Sequence, residues 1–96
     1  MADIAFAWDP EKAGINKRKH GISFIEAKSV FFDLNALLIS DPEHSENEER
    51  FIILGLSYIL RILVVCHCYR KQDSLIRIIS ARKATKHEQK QYRRKL

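Results

Sequence analysis

Arg50-Phe51-Ile52-Ile53-Leu54-Gly55-Leu56-Ser57, Arg61-Ile62-Leu63-Val64-Val65-Cys66-His67-Cys68-Tyr69-Arg70 and Ser74-Leu75-Ile76-Arg77-Ile78-Ile79-Ser80-Ala81-Arg82 follow one another in the second half of the chain. Each run is rich in Ile, Leu and Val, and short connections separate them, so they read as three consecutive antiparallel strands. Ile62-Leu63-Val64-Val65 is apolar at every position, which suits a central strand covered on both faces. Downstream, Thr85 and Glu88 form a capping-box signature that predicts a helix through about Lys95. Upstream, Ala36 to Ser40 predicts a short strand, and Asp41-Pro42 with the acids that follow predicts a loop.

The first third of the chain reads as helical. Asp9-Pro10 is an N-cap with proline at the first helical position, and His20-Gly21 places glycine where a helix ends, so residues 10 to 20 form one helix. Ser23 and Glu26 repeat the capping-box spacing, and Phe24, Ala27, Val30 and Phe31 recur on one face, which predicts a second helix over about 24 to 32. The expected fold class is α+β: two N-terminal helices, an antiparallel four-stranded sheet and a C-terminal helix, in the order ααββββα.

With 96 residues there is room for one domain, so fold, site and partner surface share the same few elements. No apolar run approaches the roughly 20 residues that span a bilayer, which excludes an integral membrane role for helices. Met1 to Pro10 lacks the basic and apolar regions of a secretory signal, so a cytoplasmic location is expected. Cys66 and Cys68 alternate onto one strand face about 6 to 7 Å apart, too wide for an unstrained disulfide. Net charge is +5, and it is unevenly spread. Arg82, Lys83, Lys86, Lys90, Arg93, Arg94 and Lys95 against Glu88 leave the C-terminal segment at +6, so the rest of the chain sums to about −1. Asp41, Glu43, Glu46, Glu48 and Glu49 form an acidic stretch. Such asymmetry points to a polyanion at one end and a basic partner, or self-contact, at the other.

Three places carry candidate chemistry. On the first helix Lys12, Asn16, Lys19 and His20 fall on one polar stripe, suited to phosphate, with His20 at the end where the helix dipole favours its charged form. A solvated face with a helix-stabilising histidine is the alternative. His67 shares a strand face with Leu63, Val65 and Tyr69; it is either a general acid or base on a rigid sheet or a hydrogen-bonded core histidine. Alternation turns it away from Cys66 and Cys68, so the triplet is not a zinc site. Arg77, Arg82 and Tyr92 interleave arginine forks with an aromatic, as single-stranded RNA recognition requires, or form a basic tail docked by Tyr92.

Trp8-Asp9 with Lys12, Asn16 and Lys19-His20-Gly21, then Phe24 and Glu26-Ala27, resembles the N-terminal signature of BrnT-like toxins. Asp41-Pro42, Glu48-Glu49-Arg50-Phe51 and Arg77-Ile78-Ile79-Ser80-Ala81-Arg82-Lys83-Ala84 to Tyr92 resemble the remainder of that family. Tyr58-Ile59-Leu60 departs from it, since a polar, glycine-containing hairpin is usual there. The resemblance implies a fold similar to RelE-type ribonuclease toxins and growth arrest by RNA cleavage. It also implies neutralisation by a BrnA-like ribbon-helix-helix antitoxin, through which the pair reaches operator DNA. No cofactor or metal is expected. Metal-free cleavage needs proton transfer and stabilisation of charge on phosphorus. On that basis Arg82 and Arg50 are the expected charge stabilisers, with Arg77 as a further candidate. His20 or His67 would transfer protons, helped by Tyr92, and Glu49 would be a base or the orienter of an arginine. Lys12, Asn16, Lys19, Lys83 and Lys86 are expected to hold the RNA.

Overall fold

The computed structural model describes residues 4–40, 49–94 and 96. Its elements are β1 (Ala5–Ala7), α1 (Pro10–His20), α2 (Phe24–Ser29) continuing into a 3-10 turn (Val30–Phe32), β2 (Leu37–Ser40), β3 (Phe51–Leu56), β4 (Ile62–Arg70), β5 (Leu75–Lys83) and α3 (Lys86–Arg93). The acidic stretch from Asp41 to Glu48, expected as a loop, lies outside the described residues.

The α+β class holds, but the strand count does not. The sheet has five strands in the order β1-β5-β4-β3-β2, and it is mixed, because β1 runs parallel to β5 while every other pair is antiparallel. The expected ααββββα order therefore lacks its first strand. Ala5-Phe6-Ala7 has neither the length nor the β-branched composition that marks a strand locally; its partners Leu75, Ile76 and Arg77 lie far along the chain.

Local chemistry sets the helix limits. Asp9 Oδ1 accepts the Glu11 N–H at 2.9 Å, and Gly21, at φ 72°, closes α1 with its N–H on the Lys17 carbonyl. Only glycine adopts that left-handed conformation without steric cost. Ser23 Oγ likewise accepts the Glu26 N–H at 3.0 Å to start α2. Glu26 does not complete the box: its carboxylate turns into the protein towards Ser57 and Arg61. At α3 the box is complete, with Thr85 Oγ1 on the Glu88 N–H and Glu88 Oε1 on the Thr85 N–H.

The two sheet faces are unequal. Ile22, Phe24, Ala27 and Val30 pack on Ile53, Leu63, Val65, Ile78 and Ala81, forming a closed core beneath α1, α2 and the 3-10 turn. On the other face α3 buries Tyr92 and Ala84 against Leu54 and Val64, leaving the neighbouring part of that face uncovered. Buried Leu63 and Val65 on one side and Val64 and Cys68 on the other confirm β4 as the doubly covered central strand.

A bulge decides which way β5 aims its side chains. Cys66 pairs with Ser80 but His67 pairs with Ile78, so Ile79 is an extra residue. Ile78 and Ala81 consequently both enter the helix-side core although three positions separate them. Uninterrupted alternation from Ile78 would send Arg82 to that core; the extra residue turns it to the opposite face.

Candidate functional site

The uncovered part of the sheet forms a cleft of about 250 Å³, with Arg50, Arg82 and His20 among its lining and Ile52, Val64, Cys66, Ile79 and Ser80 as its floor. Three expected site residues, separated by some thirty positions each, thus meet at one place. His20 reaches it from the last turn of α1, Arg50 from just ahead of β3, and Arg82 from β5 beyond the bulge. His20, Ile79 and Ser80 also border a second hollow of about 180 Å³ that Lys12, Ile15, Asn16 and Lys19 complete. The polar stripe of α1 therefore extends the cleft.

Within that stripe Asn16 has a different task. Its Nδ2 donates to the carbonyls of Ile22 and Ala81, both at 2.9 Å, and its Oδ1 accepts the Ala81 N–H at 3.0 Å. Both amide donors are engaged by the backbone, so Asn16 fastens the otherwise polar α1 to β5 and has no N–H left for phosphate. Lys12 and Lys19 are exposed on the rim.

Arg82 is held by Glu88. Nη1 lies 2.8 Å from Oε1 and Nη2 lies 3.0 Å from Oε2, a two-pronged ion pair. The Arg82 guanidinium, helped by the Thr85 N–H, lowers the Glu88 carboxyl to about 2 despite partial burial. Sequence alone showed Glu88 only as a capping residue; its contact with Arg82, across the β5–α3 bend, is set by the way α3 docks.

Four expected catalytic residues fall outside the cleft. His67 is fully buried on the helix side, its ring edge-on to Phe31 at 4.7 Å between centroids. Its Nδ1 is 3.1 Å from the Val65 carbonyl and its Nε2 is 3.3 Å from the Tyr69 hydroxyl. Burial pushes this imidazole down, and the smaller opposing effect of the Val65 carbonyl does not offset it. Fully buried and hydrogen-bonded at both ring nitrogens, His67 occupies the position of the core histidine that the sequence offered as the alternative. Tyr92 is buried too, and its hydroxyl donates to Asp33 Oδ2 at 2.6 Å. Burial and the Asp33 carboxylate push the phenol up to about 12, which suits a latch for α3 rather than an acid. Asp33 also accepts the Leu56 and Asn35 N–H groups, so this carboxylate ties β3, α3 and the turn after Phe32 together.

Glu49 borders a separate cleft of about 410 Å³ with Leu38, Phe51, Tyr69, Arg70 and Asp73. Phe51 pairs with His67, which places that cleft on the helix side of the sheet, away from Arg50 and Arg82. Arg77 is paired with Cys68 on the open face but is not part of the cleft lining. Lys83 pairs with core-facing Leu63, so it projects from the opposite face to Arg82, and Lys86 is an exposed residue of the first turn of α3.

A second glutamate–arginine pair lies remote from the cleft. Glu26, nearly inaccessible, accepts from Arg61 Nε at 2.9 Å and from the Ser57 hydroxyl at 2.8 Å, with Arg61 Nη2 closing on its other oxygen. This pair secures the β3–β4 hairpin, whose tip exposes Tyr58, Ile59 and Leu60. Leu60 takes φ 65°, the position where a glycine is the unstrained choice. Among the described residues no three His, Cys, Asp or Glu side chains converge as a metal ion would need, and no helix is long and apolar enough to cross a membrane.

Comparison with known proteins places this geometry in context. The family model described as "Ribonuclease toxin, BrnT, of type II toxin-antitoxin system" matches residues 8–88. Among solved structures, the crystal structure of the Brucella abortus ribonuclease toxin BrnT superposes with a TM-score of 0.67 at 22% identity, covering 86% of this chain and 99% of that one. At that identity the likeness speaks for a shared fold. A search of curated proteins found no match. The family match spans all the elements that build the cleft, from α1 to the start of α3. The chain therefore belongs to the BrnT family of ribonuclease toxins of type II toxin-antitoxin systems.

Proposed function

We propose that the chain cleaves RNA without a metal ion in the cleft between α1, β3 and β5. The observation that carries this reading is the meeting of His20, Arg50 and Arg82 on one open sheet face. In the proposed step the ribose 2′-oxygen attacks the adjacent phosphorus and loses its proton. The bond from phosphorus to the 5′-oxygen breaks, and that oxygen takes up a proton, leaving a 2′,3′-cyclic phosphate and a 5′-hydroxyl. His20 moves a proton at one end of this displacement. Arg50 and Arg82 stabilise the negative charge that grows on the phosphoryl oxygens, and their effect is strengthened by a site partly shielded from water. Lys12 and Lys19 hold the neighbouring backbone along the α1 extension of the cleft.

The partner in this reading is a BrnA-like ribbon-helix-helix antitoxin that covers the cleft in the cytoplasm and carries the pair to operator DNA. Incubation of the purified protein with labelled RNA in EDTA, with and without ribosomes, tests the reaction. Fragments ending in cyclic phosphate, lost in H20A and R82A, are expected. Intact RNA in EDTA that is cut on adding a divalent cation overturns metal independence. Salt-sensitive retention without any cleavage replaces the enzyme by a nucleic-acid-binding module.

A further inference from the structure

We infer that Glu88 is a positioning residue, whose carboxylate fixes the Arg82 guanidinium so that one edge of it is presented to the scissile phosphate. The inference rests on the reading of the cleft given above. Its physical basis is the double engagement of one side chain. A capping box uses a single carboxylate oxygen, on the Thr85 N–H. Here Glu88 Oε1 accepts from Thr85 and from Arg82 Nη1, both at 2.8 Å, and Oε2 accepts from Arg82 Nη2 at 3.0 Å.

The carboxylate is itself immobilised. Glu88 sits in the first turn of α3, and Tyr92, one turn on, is buried against Leu54, Val64 and Ala84 with its hydroxyl on Asp33. The chain of constraint runs from Asp33 through Tyr92 and α3 to Glu88, and from there to Arg82.

The donors left over point to the purpose. A guanidinium has five N–H groups. Glu88 takes one from each terminal nitrogen, and the Lys83 carbonyl accepts a longer bond from Nη1 at 3.3 Å. Among the described residues nothing accepts from Nε–H, so this group and the second Nη2–H remain as a side-on fork, the geometry that grips two phosphate oxygens. A flexible arginine would have to be ordered during each turnover; one held from behind is ordered beforehand. The competing role for the same contact is that of an internal anion shielding Arg82 from RNA.

Cleavage of labelled RNA by wild type, E88A, E88Q, T85A, R82A and the R82A/E88A double variant separates these roles. Positioning predicts that E88A lowers kcat about 10- to 100-fold with KM changed less than about threefold, in the range typical of residues that orient a functional group. E88Q keeps an acceptor for the Thr85 N–H and so retains the helix cap, and its kcat is read per folded molecule. T85A removes the hydroxyl cap but keeps the ion pair, so kcat stays within about twofold although the protein melts lower. On an R82A background E88A adds no further loss, because the two act as a unit. A gain of activity in E88A or E88Q overturns positioning in favour of shielding. Parallel losses in T85A and E88A that follow stability overturn it in favour of a purely structural role.

The Arg82 Nε–H signal in an amide-nitrogen correlation spectrum gives a readout independent of cleavage. It is expected to be sharp and slow to exchange in wild type and to broaden in E88Q; identical signals in the two overturn the inference. If wild type cuts no RNA, the catalytic reading of the cleft fails by itself, and this signal still decides whether Glu88 orders Arg82.

Discussion

Two helices of this protein begin with the same spacing, Ser23 to Glu26 and Thr85 to Glu88, and both glutamates hold an arginine, Arg61 from the β3–β4 connection and Arg82 from β5. The outcomes differ. Glu88 reaches back to its own helix start and to a guanidinium that borders the cleft. Glu26 abandons its helix start and is sealed beneath the β3–β4 hairpin with Ser57 and Arg61. A capping signature therefore locates a helix start reliably, since Ser23 and Thr85 both accept the expected N–H. Where the carboxylate goes is settled by the tertiary neighbours that compete for it.

The comparison is broken most forcefully at Arg61. R61A strands the Glu26 carboxylate, only 3% exposed, without its counter-charge. A loss of about 3 kcal/mol or more is expected from urea unfolding, with RNA cleavage by the folded fraction unchanged. R82A should behave in the opposite way: cleavage falls on the order of 100-fold, while stability shifts by less than about 1 kcal/mol, because this pair is partly open to solvent. If R61A and R82A lose activity and stability together, the division between a structural and a functional pair is wrong.

A smaller effect sharpens the contrast at the far end of α3. Y92F deletes the hydrogen bond to the Asp33 carboxylate and is expected to cost about 2 kcal/mol by thermal or urea unfolding. Cleavage by the folded protein should fall only severalfold, through looser placement of Glu88. A loss equal to that of R82A would instead return the phenol to the reacting atoms.

The smallest effect lies in the acid limb of stability. The Glu88 carboxyl is lowered from 4.5 to about 2 in the folded protein, so the unfolded chain binds the proton more readily. Its contribution is fully present above about pH 4.5 and is lost as pH falls from there towards 2. Urea midpoints measured across that window should fall less steeply in E88Q than in wild type; equal slopes would show that the pair adds nothing to the folded state.

Much of this was legible in the residues. Apolar runs located β3, β4 and β5, and caps located α1 and α3, because these features are decided by neighbours a few positions away. The meeting of His20, Arg50 and Arg82 came from family resemblance joined to charge chemistry, and no periodicity would have shown it. His67 carried its own answer: sharing a face with Leu63 and Val65, it was on the core side of the sheet, and the structure buries it there. Asn16 looked like one more polar group on a polar helix, since its carbonyl partner Ala81 is 65 positions away. The β5 bulge is equally silent in composition, yet it alone turns Arg82 to the open face. What stayed hidden was in each case a contact between distant segments.

The parallel pairing of β1 with β5 has a consequence for the life of the nascent chain. Ala5 finds its partner Leu75 only after some seventy further residues have been added. At roughly 5–20 residues per second of synthesis, β1 waits for about 4 to 14 seconds before its edge of the sheet can close. His20 and Arg50 fall within that interval and Arg82 lies shortly beyond it, so the three cannot meet until β5 has been made. The strand that closes the β1 edge is thus also the strand that completes the cleft, and neither can form ahead of the other.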